Sequence, residues 1–327
     1  MSEIGESSRS LPGERHETAS QTPDYLSQPR QREERGRLAA WLRALRLHHW
    51  SKNLFVFVPI LLGHLYGDLA KLAATAAAFV LLGLLVSAGY LINDLADIEA
   101  DRQHKSKRHR PFASGRISQR AGLAVAAALT AVALAGAAVL SRGLAAVLVA
   151  YFLLTLAYSL WLKSVTLLDV AAIATMLTLR IAAGAAVIET GQSPWLLSFS
   201  AAFFLSLALA KRHCEIRLSA LAGAGPIAGR GFHGDDWPLT LAFGVGAGLA
   251  SIVIMLLYLA NDAAPSGFYP HQAWLYVAPA TVLIWLMRVW VLSHRTELHD
   301  DPVIFALKDP ASLALGAVVA AAFILAV

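Results

Sequence analysis

The stretch Asn93–Arg116, NDLADIEADRQHKSKRHRPFASGR, lies between two long apolar runs and is strongly charged. Asp94, Asp97 and Asp101 are three and four residues apart, which places their carboxylates on one stripe of a helix. Glu99 falls on the opposite side. Three like charges on a stripe repel each other unless a divalent metal or neighbouring basic side chains cover them. Six basic residues follow at once: Arg102, Lys105, Lys107, Arg108, Arg110 and Arg116.

Carboxylates and cations at one site suggest a magnesium-bridged polyphosphate, because Mg²⁺ takes one or two carboxylates together with phosphate oxygens of the substrate. The alternative is an ordinary charged loop between two spans, whose acids pair with its bases and whose basic residues set the topology. Asn93 leads the stripe, and the stripe begins where a span ends. Both features favour the metal site.

The composition indicates a helical membrane protein with several spans. Of the 327 residues, 57% are hydrophobic and 15% charged, whereas about a quarter are charged in a soluble domain. Long apolar runs recur along the chain, as in proteins that cross the membrane as helices. The net charge of +5 does not indicate a nucleic-acid partner, because the basic residues cluster beside the spans. The single cysteine, Cys214, excludes an intramolecular disulfide.

The chain divides into a polar tail and a membrane domain. Residues 1–37 are rich in Ser, Glu, Gln, Arg and Pro, which predicts a disordered tail. Residues 38–327 form the predicted membrane domain, which opens with an amphipathic helix lying on the membrane surface up to Trp50. We expect nine spans, near 51–66, 70–92, 121–140, 144–162, 166–188, 194–211, 239–260, 272–293 and 310–327.

The distribution of Lys and Arg predicts the orientation. The surface helix, the 93–120 loop, Lys163, Lys211 and Arg295 fall on one side of the nine-span arrangement, and the other side has little beyond Lys71 and Arg142. The basic side is therefore predicted to be cytoplasmic, in a bacterial-type inner or plasma membrane. The N-terminus and the acidic stripe lie on that side.

Further polar residues stand at or inside the predicted spans. Tyr158, Lys163 and Asp169 lie near the cytoplasmic face, between the fourth and fifth spans. Arg180 follows Asp169 by eleven residues, which puts both on one helical face about 16 Å apart. An arginine at that depth usually faces a cavity or a partner. A purely structural arginine, paired with a carbonyl or another span, is the alternative.

Three other segments have two interpretations each. Lys52 and Asn53, at the start of the first span, are candidates for the same cavity, although an interfacial Trp–Lys anchor also explains Lys52. Lys211 and Arg212, at the end of the sixth span, are either a phosphate clamp or a positive-inside anchor. The polar loop His294–Asp309 has enough His and Asp for a metal site, but solvation and helix capping explain it better.

At these residues the sequence resembles a known family. The pattern N-D-x-x-D-x-x-x-D at the end of the second span is similar to that of the UbiA superfamily of intramembrane prenyltransferases, which implies nine helices around a central polar cavity. HHWSKNLFVFVP, YSLWLK ahead of Asp169, and LALAKRHCEIR resemble the branch of decaprenyl-phosphate phosphoribosyltransferases. That branch uses phosphoribosyl pyrophosphate and a polyprenyl phosphate and releases pyrophosphate.

The resemblance implies a set of site residues. Asp94 and Asp97 would hold Mg²⁺ on the pyrophosphate of the donor, and they would form the catalytic group with Lys163 and Asp169. The substrate-binding residues would be Lys52, Asn53, Asn93, Asp101, Lys105, Arg110, Tyr158, Arg180, Lys211 and Arg212.

Two other functions compete with this one. Prenyl-transferring members of the superfamily, which move a polyprenyl chain from its diphosphate to an aromatic acceptor, commonly carry a second Asp-rich motif, D-x-x-x-D. After the fourth span this sequence has only Asp169, which favours phosphoribosyl transfer. A transporter would use Arg180 and the polar loops as a substrate path, but few Gly- or Pro-broken spans stand in matching halves.

Overall fold

The computed structural model describes residues 28–104, 106–189, 193–223 and 231–327. Within these ranges every regular element is helical and no strand is present. The all-α class predicted from the sequence is therefore confirmed. The apolar composition and the helical structure agree, since a helix satisfies its own backbone hydrogen bonds inside a membrane.

Twelve α-helices are described, and eight of those that follow α1 are 17 or more residues long. In chain order they are α1 Gln28–Leu45, α2 Val58–Leu62, α3 Leu69–Ala96, α4 Ile98–Gln103, α5 Gln119–Leu140, α6 Arg142–Leu160, α7 Leu168–Val187, α8 Pro194–Leu221, α9 Trp237–Tyr258, α10 Val277–His294, α11 Pro302–Lys308 and α12 Pro310–Ala326. A 3-10 helix, Leu47–Phe57, precedes α2, and a π-helical turn, Leu259–Ala263, extends α9.

Seven segments among the described residues are long and apolar enough to cross a membrane. They are Leu69–Ala96, Gln119–Leu140, Arg142–Leu160, Leu168–Val187, Pro194–Leu221, Gly234–Ser266 and Gln272–His294. Helices α11 and α12, bent by 84° at their junction, bring the number to eight when they are counted as one span. The protein is an integral membrane protein, but the predicted count of nine spans is not confirmed.

The difference lies in the predicted first span, 51–66, which forms the 3-10 helix and α2 instead of a transmembrane α-helix. The stretch is shorter than the ~20 residues that an α-helical span needs. It nevertheless runs from one end of the bundle to the other. Arg46 pairs with Asp94 at the end of α3, and His64 hydrogen bonds to Tyr269 in the connection between α9 and α10.

Helix α1 overlaps the end of the predicted disordered tail. Helix α1 begins at Gln28, so residues 28–37 are helical where the sequence predicted disorder, while 1–27 lie outside the described residues. The stretch is rich in Gln, Arg and Glu, which are good helix formers. The helix is also anchored further on, because Ala40 and Ala44 are buried in an apolar cluster against α3 and α5.

Helix α7 is the centre of the bundle. In its apolar 18-residue stretch 61% of the residues are buried inside the protein, compared with 17% in the corresponding stretch of α5. One apolar core packs α7 against α8 and α10, and a second packs it against α3, α6 and the 3-10 helix. The small residues Ala183 and Gly184 allow close approach of these neighbours. Polar side chains on α7, Asp169 and Arg180, are thereby held at fixed positions inside the protein.

Gly184 sets the distance between α7 and the 3-10 helix. A Cβ atom at this position would lie 2.0 Å from the carbonyl oxygen of Val56. We expect Gly184→Ala to displace the 3-10 helix and to lower the free energy of unfolding by about 1–3 kcal/mol. Thermal melting of the purified protein in detergent measures this. Gly246→Ala on α9, where a Cβ atom meets nothing within 4 Å, is the matched control. If the two variants had the same melting temperature, Gly184 would not be the residue that sets this distance.

Candidate active site

A polar cavity of about 340 Å³ lies at one end of the bundle, where α3, α6, α7, the 3-10 helix and the start of α11 meet. Its charged side chains are Lys52, Asp97, Lys107, Arg110, Lys163, Arg180 and Asp301, and its other polar side chains are Tyr90, Asn93, Tyr151, Thr155, Tyr158 and Ser159. Apolar side chains, among them Val86, Ile173, Met176 and Leu177, line the remainder.

Asp97 is the carboxylate that the end of α3 presents to this cavity. Helix α3 ends at Ala96 and α4 begins at Ile98, so Asp97 occupies the junction between them. Lys163 Nζ donates to Asp97 Oδ1 at 2.7 Å, and Asn93 Nδ2 donates to Asp97 Oδ2 at 3.1 Å. The Asp97 side chain is 29% exposed. It is therefore held in place and still accessible to a ligand.

Asp94 and Asp101 face away from Asp97 toward guanidinium groups. Arg110 Nη1 lies 3.2 Å from Asp94 Oδ1 and 2.7 Å from Asp101 Oδ2, and Arg46 Nη2 lies 2.7 Å from Asp94 Oδ1. The Asp94 side chain is 2% exposed. Two carboxylates this deeply buried require such partners, because an unpaired buried charge is strongly destabilising. The predicted stripe is thus divided between an accessible aspartate and two buried ones.

Glu99 points away from these groups, as the sequence predicted. Its side chain is 79% exposed and pairs with Arg102 at 2.8 Å, one helical turn further on. An exposed pair of this kind contributes little to stability. Glu99 therefore serves as an internal reference for charge changes close to the site.

Arg180 forms the deep end of the cavity, well inside α7. Its Nε donates to Asn53 Oδ1 at 3.1 Å, its Nη2 donates to Tyr151 Oη at 2.9 Å, and its Nη1 donates to the carbonyl oxygen of Met176. No carboxylate in the described part of the chain lies within salt-bridge distance of it. A buried cation held only by neutral partners suits an anionic ligand.

Asp169 and Arg212 lie behind the cavity wall and do not line it. Asp169 is fully buried, 2.7 Å from Arg212 Nη2, and Arg212 also pairs with Glu215. Tyr158, which does line the cavity, donates its hydroxyl to Asp169 Oδ1 at 3.0 Å. Asp169 therefore reaches the cavity through Tyr158, and the roles of Asp169 in catalysis and Arg212 in substrate binding stay predictions.

Two other predicted residues are not part of the cavity as described. Lys211 Nζ donates to the carbonyl oxygens of Leu298 and His299, at 3.4 Å and 2.8 Å, and so fastens the connection after α10. Lys105 lies outside the described residues. Lys107, a neighbour of Lys105 in the same basic run, lines the cavity instead.

The structure adds Asp301, which sequence reasoning did not select. Asp301 Oδ2 accepts from Lys52 Nζ at 2.7 Å across 249 positions of the chain. In the sequence it precedes Pro302 as a helix start, and that role is confirmed, because Oδ1 accepts from the backbone N–H of Val303 at 3.1 Å. Helix capping accounts for Oδ1 only. The residues around Asp301 in the sequence do not indicate that Oδ2 contacts Lys52.

A second cavity, of about 570 Å³, adjoins the first and shares Asp301 with it. His48, His49, Lys211 and Asp300 are among the side chains that line it. Burial, reinforced by the neighbouring positive charges of His48 and Lys52, lowers the pKa of His49 to about 4. His49 is therefore neutral at pH 7, where it stacks on the ring of Tyr90 at 5.0 Å between centroids.

The main cavity has a surplus of positive charge. Five cations line it, Lys52, Lys107, Arg110, Lys163 and Arg180, together with two carboxylates, Asp97 and Asp301. Arg110 and Arg46 balance the buried Asp94 and Asp101, so four cations still oppose two carboxylates. Such a site attracts polyanions such as diphosphates. In the described part of the chain no three His, Cys, Asp or Glu side chains converge as a ready-made metal site. A divalent cation there would take most of its ligands from water and from the bound anion, as Mg²⁺ commonly does.

Comparison with known proteins identifies relatives of this chain. It is 50% identical to the uncharacterized protein y4nM of Sinorhizobium fredii, over 88% of this chain and 55% of that protein, so it spans about half the length of that relative. It is 33% identical to nodulation protein NoeC of Azorhizobium caulinodans, over 84% of this chain and 88% of that protein. Decaprenyl-phosphate phosphoribosyltransferase of Mycobacterium tuberculosis is 34% identical over 57% of this chain and 63% of its own length.

The fold and the family agree with these matches. The structure of a UbiA homologue from Archaeoglobus fulgidus bound to GPP and Mg²⁺ superposes with a TM-score of 0.65 at 15% identity, covering 88% of this chain and 99% of that one. The family model of the UbiA prenyltransferase family matches residues 55–309. The matched region contains nearly all of the cavity-lining residues, from the end of α3 to Asp301. The chain is therefore an integral membrane protein that belongs to the UbiA prenyltransferase family.

Proposed function

We propose that the protein transfers 5-phosphoribose from phosphoribosyl pyrophosphate to a polyprenyl phosphate, with release of pyrophosphate, at the cytoplasmic face of the membrane. The observation that carries this proposal is the cavity, with its five cationic side chains and two carboxylates. Both substrates bear phosphate groups, which separate lysines and arginines can bind without a second metal cluster. The identity to the mycobacterial decaprenyl-phosphate phosphoribosyltransferase supports the same assignment.

The pyrophosphate of the donor is assigned to the end of the cavity near Asp97, where Lys107, Arg110 and Lys163 are found. Asp97 fits as a ligand of Mg²⁺, because it is partly exposed and faces the cavity. Asp94 as a second ligand stays a prediction that requires Arg46 and Arg110 to release it. When bound, the metal neutralises negative charge on the leaving pyrophosphate.

The phosphate of the lipid is assigned to the deep end of the cavity, at Arg180. This guanidinium group lies within the membrane-spanning helix α7 and has only neutral partners in the described residues. The apolar side chains of Met176 and Leu177 line the same cavity. A phosphate attached to a hydrocarbon chain meets both requirements, since its head needs a cation and its tail an apolar surface.

In the reaction, an oxygen of the lipid phosphate attacks C1 of the ribose. The bond between C1 and the pyrophosphate oxygen breaks, and pyrophosphate leaves with the bonding electron pair. The attacking phosphate is already ionised, so the protein has to position it and does not have to remove a proton. Lys163 and Arg110 stabilise the negative charge that develops on the leaving group.

A second candidate is transfer of a polyprenyl chain from its diphosphate to an aromatic acceptor. The observation that favours it is the similarity of the fold to the Archaeoglobus fulgidus homologue that binds GPP and Mg²⁺. A prenyl diphosphate would use the same cations near Asp97. The two functions differ in the donor and in the acceptor, which makes them separable by experiment.

The decisive experiment incubates the purified full chain with labelled phosphoribosyl pyrophosphate and a polyprenyl phosphate, with Mg²⁺ and with EDTA. We expect a labelled lipid and pyrophosphate to form, and EDTA to abolish both. No prenylation of a hydroxybenzoate by a polyprenyl diphosphate is expected. Robust prenylation, with phosphoribosyl pyrophosphate left intact, would reject the phosphoribosyl assignment in favour of the second candidate.

The different surroundings of Asp97, Asp94 and Glu99 predict different effects of substitution. Asp97→Asn removes the accessible carboxylate and should lower turnover by about 10- to 100-fold or more with little change in thermal stability. Asp94→Asn should also lower the melting temperature, because it leaves two arginines beside a neutral group. Glu99→Gln is the matched control and should retain activity. A Glu99→Gln variant as impaired as Asp97→Asn would exclude this division of roles.

The orientation is part of the proposal. Arg46, Lys163, Lys211 and Arg295 stand at the end of the bundle that holds the cavity, which the positive-inside rule assigns to the cytoplasm. Cysteine substitutions test this assignment, because the native thiol of Cys214 is buried.

Glu99→Cys marks the cavity end of the bundle, and Gly67→Cys marks the opposite end, just before α3. In sealed inside-out vesicles, a membrane-impermeant maleimide should label Glu99→Cys and leave Gly67→Cys unlabelled, with the wild type as background. The reverse pattern would place the cavity on the external face.

A further inference from the structure

We propose that Asp301 is a specificity-determining residue that accepts hydrogen bonds from the ribose hydroxyl groups of the donor. This inference rests on the proposed function, and it gives a role to a residue of the loop for which the sequence favoured solvation or helix capping over a metal site. Its basis is the presence of a carboxylate where the rest of the cavity is built to bind phosphates.

The geometry leaves one oxygen of Asp301 for this role. Oδ1 is engaged by the backbone N–H of Val303 and is fixed to the start of α11. Oδ2 faces the cavity, where it accepts from Lys52 Nζ at 2.7 Å, and the side chain is 34% exposed. Because Oδ1 is anchored to a helix, Oδ2 has a defined position. A carboxylate oxygen can accept more than one hydrogen bond, so the bond from Lys52 does not exhaust it.

The electrostatics of the cavity restrict what Asp301 can contact. A carboxylate repels phosphate, so in a site for two phosphorylated substrates it must meet a metal, a cation or a hydroxyl group. Asp97 enters from the end of α3 and has its own lysine, Lys163, whereas Asp301 enters from the start of α11 with Lys52. Lys52 already supplies a cation to Asp301 Oδ2, and the remaining lone pairs of the carboxylate can accept from a neutral hydroxyl group. Asp301 is therefore assigned to the uncharged part of the donor.

The chemistry of the donor supplies that uncharged part. Between its 5-phosphate and its pyrophosphate, phosphoribosyl pyrophosphate carries hydroxyl groups on C2 and C3. Carboxylates bind ribose hydroxyls in this way in dinucleotide-binding folds. A prenyl diphosphate has no such hydroxyl group, so for that donor Asp301 would remain without a polar partner on the ligand. Asp301 thus distinguishes a sugar donor from a prenyl donor.

The variant Asp301→Asn tests the inference with little structural change. Asparagine is as good a helix cap as aspartate, so the start of α11 is retained while the charge is lost. Asp300→Asn is the matched control, because Asp300 is the neighbouring residue and pairs with Lys308 in the second cavity only. Thermal melting establishes that both variants are folded.

The readout is discrimination between phosphoribosyl pyrophosphate and its 2-deoxy and 3-deoxy analogues, measured as kcat/KM and as competitive displacement of the bound donor. Wild type should prefer the natural donor over at least one analogue by about 10- to 150-fold, as expected for a hydrogen bond to a charged group. Asp301→Asn should lose most of that preference, and Asp300→Asn should keep it. Displacement gives the ratio even where turnover of a variant is too low to measure.

The possible failures are distinguishable. If Asp301 only neutralises Lys52, Asp301→Asn will weaken binding of the natural donor and both analogues by the same factor, and the preference for the natural donor will be unchanged. That result overturns the inference and leaves the proposed function intact. If wild type binds both analogues as well as the natural donor, the inference is likewise wrong. If wild type does not turn over phosphoribosyl pyrophosphate at all, the proposed function fails and the inference fails with it.

Discussion

The pairing of Arg110 with Asp94 and Asp101 is the interaction on which the site depends. Both carboxylates are buried, and their burial is tolerated because one guanidinium group serves both. This pairing folds the basic run back against the end of α3 and α4. It also turns the helix junction so that Asp97, between the two, faces the cavity and Lys163. Lys107 and Arg110 of this charged loop thereby form part of one wall of the candidate active site.

Local patterns predicted much of the architecture. Apolar runs of sufficient length located the long helices from α3 to α10, because a span must match the thickness of the membrane. The end of α8 was predicted ten residues too early, because the helix continues past the apolar run to Leu221. They failed at 51–66, where crossing is achieved by a 3-10 helix packed into the bundle against Gly184. This segment is held in place by packing against other helices and not by its own length as an α-helix. The helical periodicity of apolar residues in the sequence does not reveal such packing.

The site was predictable only where its geometry is local. Helical spacing correctly put Glu99 on the outside and Arg180 inside α7, but it could not separate Asp97 from Asp94, since α3 ends between them. Charge type alone placed Asp169, Arg212 and Lys211 with the ligand-binding residues. In the structure Asp169 pairs with Arg212, and Lys211 contacts the connection after α10, so their roles toward a ligand stay predictions. Asp301 escaped notice because its partner Lys52 is 249 positions away.

That separation also determines which parts of the chain must come together to complete the cavity. The Lys52–Asp301 contact joins the 3-10 helix to the start of α11. The cavity walls contributed by α3, α6 and α7 come from residues between these two positions in the sequence. The cavity is therefore complete only when α11 has packed against the 3-10 helix, so its shape depends on the fold of the whole membrane domain and not on a single pair of helices.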